Sequence, residues 1–287
     1  MPINFKEYVQ ESKSLELTTD ERSKVTELTK KYIELFTKDT KTPTYPLPQH
    51  FFKDIKIKKH SKLTPRFLKL DTLQLVDRST KTIKSVDVIV ILDYPDPPFS
   101  GLYREETEEI LLFHNALIES SYYRIFEIIS HEVIHAIQHY RTVSAEYIKA
   151  VKKDIHKNTQ AKKAYYTEPL EFEATLSGVL SQLKELYTEY ITRIETYNKS
   201  DDKTAKVFLL RKLNFFLKSL KVFATSTPET YFKYSELPIP LPLREREDFF
   251  ITIQEDLRYK RKYQQAILNF VLDAQMHLLE MGIELDL

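Results

Sequence analysis

Two hydrophobic periods divide this chain. Between residues 49 and 115 apolar positions alternate with polar ones or run together, as in strands. Over residues 1–42, and again from about residue 117 onward, they recur at helical spacing. In the leading segment Thr18, Thr19 and Asp20 precede Glu21 as a helix start. Val25, Leu28, Tyr32 and Leu35 or Phe36 then supply one apolar face. The prolines at 43, 46 and 48 punctuate the chain as a linker.

A weak alternation over residues 51–58 follows, and then Leu68, Leu70 and Thr72 alternate with charges. Residues 86–92 (VDVIVIL) are almost continuously β-branched and apolar, the pattern of a strand buried on both faces. Leu102 and Tyr103 face residues 110–113 across an acidic turn, which predicts a hairpin. Long helices are expected over residues 122–141, 169–197, 205–223 and 249–281, with a stiff Pro-rich connector at 237–242. The apolar positions of the last helix include Phe249, Ile253, Leu257, Tyr263, Ile267 and Phe270. Helix, then small sheet, then helical half predicts an α+β fold with a small mixed sheet and a mainly helical C-terminal half. The expected divisions are residues 1–48, 49–198 and 199–287.

Composition narrows the chemistry. The 287 residues carry 43 Lys+Arg against 42 Asp+Glu, a net charge of +1, which gives no overall electrostatic case for nucleic acid or an anionic membrane. Cys is absent, which removes disulfides, thiolate metal sites and cysteine nucleophiles, and any metal must be held by His, Asp or Glu. Three glycines are too few for a Gly-rich phosphate loop. No apolar run is long enough for a transmembrane helix and no apolar leader opens the chain, so a cytoplasmic location is expected.

His131-Glu132-Val133-Ile134-His135 is an HExxH match. Residues four apart on a helix stand one turn above each other, so two imidazoles can meet one metal ion, with Glu132 beside them as a base for a bound water. The flanking Phe126, Ile129, Val133, Ala136 and Ile137 form a core face, with the two histidines to one side of it. His139 lies eight residues after His131, roughly 12 Å along a helix, too far to share the ion. The third ligand is therefore sought downstream, where residues 165–174 (YYTEPLEFEA) open the next long helix. Phe172, Leu176, Val179 and Leu183 form its core face, and Glu171 shares a stripe with the small residues Ala174 and Gly178. Glu171 is the first choice, and Glu173, on the other side with Ser177 and Leu180, is the second.

HEVIHAIQH followed by YYTEPLEFEA resembles the zincin metallopeptidases, and most closely their gluzincin-like branch, in which a second helix supplies a Glu in an E-x-x-A context. The Tyr-Tyr-x-x-Pro-x-Glu preface resembles small HExxH proteins of bacteriophage and bacterial genomes. The resemblance covers about residues 85–180. It implies a zincin-like domain with Zn²⁺ held by His131, His135 and Glu171, and Glu132 as general base in peptide hydrolysis. It also implies an edge strand beside the substrate, at the place of Tyr103 and residues 110–113. Tyr165, Tyr166 or His139 would donate to the oxyanion. A protein or peptide substrate is expected. The other expectation is a structural or assembly protein, such as a phage virion component, that keeps a zincin-like zinc scaffold without proteolysis. In that case the aromatic-rich C-terminal helices would carry the protein interface. His114 and the lysines at 149–163 need less: a hydrogen-bonded structural histidine and a solvated basic loop, respectively.

Overall fold

A computed structural model of the chain describes residues 17–37, 45–46, 66–76, 81–94, 97, 99–118, 120–137, 159–198 and 203–285. These residues divide between two compact units, one within Leu17–Val143 and the other within Ser144–Leu287. The alternation over residues 51–58 lies outside the described residues.

The first unit opens with helix α1 (Thr19–Thr37). Its start is a capping box: the Thr18 amide donates to Glu21 Oε2 at 2.7 Å and the Glu21 amide donates to Thr18 Oγ1 at 3.2 Å. A five-stranded sheet follows, built from β1 (Tyr45–Pro46), β2 (Arg66–Val76), β3 (Ile83–Leu92), β4 (Gly101–Arg104) and β5 (Glu109–Phe113). The strand order is β1-β2-β3-β5-β4, antiparallel except for the parallel pair β3–β5. This is the small mixed sheet expected from the sequence. The hairpin of residues 102–113 is present as β4 and β5, with Tyr103 opposite Ile110.

Strand β3 is covered on both faces over residues 88–92, which is why its sequence does not alternate there. Ile89 and Ile91 join Leu111, Phe113 and Tyr94 in one cluster, while Val86, Val88 and Val90 are equally buried. Strand β2 departs from the simple alternation of Leu68, Leu70 and Thr72. A bulge between Lys69 and Asp71 inserts an extra residue, so the buried set shifts phase from Leu68 to Leu73 and Leu75. Helix α2 (His114–Leu117) is a single turn, and α3 (Tyr122–Ile137) is the helix that carries HEVIH. Helix α3 packs against α1, β4 and β5. The remainder of the helix expected to residue 141 lies outside the described residues.

The second unit is helical: α4 (Thr159–Tyr166), α5 (Pro169–Asn198), α6 (Lys203–Thr225), α7 (Pro228–Tyr234), α8 (Leu241–Glu245), α9 (Glu247–Ile253) and α10 (Leu257–Glu280). One core joins α5, α6 and α10 through Phe172, Leu183, Leu217, Phe223, Tyr263 and Phe270, among others. With no Trp in the chain, Phe and Tyr fill its centre. The Phe223 ring lies 4.9 Å from that of Phe250 and 5.1 Å from that of Tyr231, edge-on to both.

The single helix expected over residues 249–281 is in fact two. The chain breaks after Ile253, and Asp256 caps α10 by accepting from the amides of Arg258 and Tyr259. Leu257, first in α10, is consequently 65% exposed rather than part of the core face. At its other end α10 closes in a Schellman turn. Gly282 sits at φ 71°, its amide donates to the Leu279 carbonyl, and the Ile283 amide donates to the Leu278 carbonyl. The Pro-rich connector turns helical at Leu241. The basic stretch read as a loop is helical from Thr159, and Lys162 and Lys163 pair with Asp248 and Glu255, each at 2.6 Å. The lysines at 149–157 lie outside the described residues.

Candidate metal centre

Every residue of helix α3 from Ile125 to Ile137 is buried, the apolar core face and the two histidines alike. His131 and His135 are 8% and 3% exposed. Their four-residue spacing stacks them one turn apart. The two Nε2 atoms point at each other at 3.0 Å, and the rings meet edge to face with centroids 4.6 Å apart.

Glu171 lies in the first turn of α5, after Pro169 presets the helical φ at the first position. Phe172, fully buried, anchors this turn in the helical core through rings of Phe249 and Tyr259 at 5.8 and 4.2 Å. Glu171 is itself 3% exposed. His131, His135 and Glu171 form a buried group that could hold a metal ion: each offers one ligand atom, and these atoms lie within 4.8 Å of one another. Imidazole nitrogens and carboxylate oxygens are the donors that divalent first-row metal ions take from proteins without cysteine. A divalent cation suits that donor set.

Glu132, between the histidines, is also buried. Its carboxylate lies against strand β4 at Gly101. A Cβ built on Gly101 would stand 2.9 Å from Glu132 Cγ, from Glu132 Oε1 and from Ile128 Cγ2. Only a residue without a side chain leaves the carboxylate this room. Gly101 is thus a site residue that sequence reasoning missed, because nothing local ties position 101 to position 132. Strand β4 has β5 as its one neighbour among the described residues and so forms that edge of the sheet. Of the segments expected at the edge, the one with Tyr103 is there, whereas residues 110–113 lie on β5, interior between β3 and β4.

The other named residues fall in different places. Glu173 Oε1 accepts from Lys262 Nζ of α10 at 3.1 Å. The Tyr166 ring packs edge-on against Phe249 at 5.3 Å, as part of the helical core. Tyr165 is half-buried, with its ring 5.3 Å from that of Tyr166. His139 lies outside the described residues. His114 accepts or donates through Nδ1 to the Tyr32 hydroxyl at 2.8 Å and stacks on Phe36 at 3.7 Å, a structural pairing of α1 with α2. One turn before the HExxH motif, the fully buried Glu127 pairs with Arg124. The alternating (i, i+3) charges carried a signal for this pair, but not for its burial.

Comparison of the chain with protein-family models, curated proteins and solved structures finds no match.

Proposed function

We propose that this chain is a zinc-dependent peptidase, with His131, His135 and Glu171 as metal ligands and Glu132 as general base. The observation that carries the reading is the convergence of two imidazoles and one buried carboxylate, with Glu132 following His131 in the chain. Two nitrogens each about 2.05 Å from a tetrahedral zinc are about 3.3 Å apart, close to the observed 3.0 Å. His131, His135 and Glu171 would hold the ion through two nitrogens and one oxygen, the three-residue donor set of catalytic rather than structural zinc. When bound, the zinc supplies Lewis acidity that brings the pKa of a water toward ~7.

The chain's own residues supply the rest. The Glu132 carboxylate takes the proton from the attacking water at an Oε atom and delivers it to the nitrogen of the leaving amine. Burial of Glu132 excludes bulk water from that transfer. The edge strand β4 supports a peptide rather than another amide as substrate. Its outer backbone groups can pair with an extended chain, which would run past Gly101, where the Glu132 carboxylate lies. Tyr165 and Tyr166 are the described candidates to donate to the oxyanion.

The test is hydrolysis of a mixed peptide library, read by mass spectrometry, comparing the wild type with Glu132→Gln at equal metal content. The reading expects cleavage that falls at least ~100-fold in the variant. Cleavage undiminished in Glu132→Gln would refute the assignment of the base. Metal retained by both proteins with no cleavage by either would favour the scaffold reading over the enzyme.

A further inference from the structure

Helix α6 carries six basic residues and no acidic one, although the whole chain has a net charge of only +1. One side of the helix is spent on the core through Leu213, Phe216, Leu217 and Leu220. The other side is exposed, and it is not simply polar. Phe208 is 56% and Phe215 49% exposed, with Val207 and Val222 exposed nearby. Arg211 and Lys212, both exposed, lie between the two phenylalanines. At about 100° per residue, Phe208, Arg211, Lys212 and Phe215 share roughly 100° of arc. Lys212 Nζ lies 4.5 Å from the centroid of the Phe208 ring, so charge and aromatic surface are interleaved side by side.

We propose that this face of α6 docks on an anionic phospholipid surface, with Phe208 and Phe215 entering the headgroup boundary and the flanking cations meeting lipid phosphates. The chemistry separates this occupant from others. Protein interfaces are depleted of Lys, whereas α6 has five Lys to one Arg. A helix with Lys on its polar side and Phe on the exposed apolar stripe matches an interfacial helix that lies in the plane of the bilayer. The lysine stems can lie along the apolar boundary while their heads stay in water. No helix among the described residues is long and apolar enough to cross the membrane, so the contact is peripheral.

The experiment uses the full chain and vesicles of phosphatidylcholine alone or with about a third phosphatidylserine. The chain has no Trp, so Phe215→Trp places a single indole on the surface in question. Its emission should shift to the blue with the serine-containing vesicles and stay unchanged with phosphatidylcholine alone. In co-flotation, Phe208→Ser/Phe215→Ser and Arg211→Glu/Lys212→Glu should each bind at least tenfold more weakly, with far-UV dichroism and thermal midpoint checked against the wild type. Equal binding to both vesicle types, or none, would overturn the proposal. So would binding lost on charge reversal but kept by the double Ser variant, because that describes a purely electrostatic partner such as a nucleic acid or an acidic protein.

Discussion

Replacing Gly101 with Ala adds one methyl group directly against Glu132 and Ile128. The residue sits in strand β4 opposite Leu112, and its φ lies outside the left-handed region, so the backbone itself accepts Ala. The new Cβ would lie 2.9 Å from two atoms of Glu132 and one of Ile128, well inside normal carbon contact. Neither neighbour has an easy escape, since Glu132 and Ile128 are 6% and 4% exposed on a helix buried on every side. Overpacking of this kind costs about 1–3 kcal/mol, while removing a strand glycine returns about 0.4–1 kcal/mol through the unfolded chain. The steric term wins, for a net loss of about 1–2 kcal/mol. Urea unfolding followed by far-UV dichroism reads it as a lower midpoint. The second arm is a double-mutant cycle. Glu132→Ala removes both Glu132 atoms, Cγ and Oε1, that the methyl would strike, so Gly101→Ala should cost at least ~0.5 kcal/mol less in that background. Gly101→Ala as stable as the wild type, or equally costly with and without the Glu132 carboxylate, would refute the packing of Glu132 against β4.

Two further outcomes follow from named groups. Asp256→Ala removes the side chain that accepts from the amides of Arg258 and Tyr259, and should lower stability by about 0.5–2 kcal/mol, read as a lower thermal midpoint. Burial pushes the pKa of His114 below its usual value, against an opposing pull from Asp93. The unfolded chain therefore binds this proton more readily than the folded one, so the stability it contributes is present above about pH 6.5 and is lost as pH falls below that. His114→Gln should flatten the acid side of the stability profile relative to the wild type, and an unchanged slope would contradict the assignment.

What could be read along the chain was what local pattern encodes. Residues 86–92 announce a doubly buried strand because apolar residues run almost unbroken there, and residues 88–92 are buried on both faces. Thr18 and Glu21 announce the start of α1, and they bond as a capping box. The HExxH spacing announces a facing pair of imidazoles, and the Nε2 atoms face each other. The misses have two physical causes. Some signals are local but masked by a stronger period: apolar residues recur at helical spacing on both sides of Gln254-Glu255-Asp256, which hides Asp256 as a cap, while Thr227 and Pro228 form a regular N-terminus for α7. Others have no local trace. The bulge that reverses the phase of β2 depends on its pairing with β3, and the fit of Glu132 against Gly101 exists only once α3 lies on the sheet. All-round burial of α3 likewise comes from its neighbours, since its sequence alone places the histidines beside an apolar face.

The most direct test of the metal assignment is the zinc content of the full chain, by inductively coupled plasma mass spectrometry, after purification without added metal and again after reconstitution and desalting. The account predicts one zinc per chain in the wild type and in Glu173→Gln, and less than a tenth of that in His135→Ala and Glu171→Gln, with all four proteins folded by dichroism. A wild type that holds no zinc after reconstitution, or a Glu171→Gln variant that holds as much as the wild type, would contradict it.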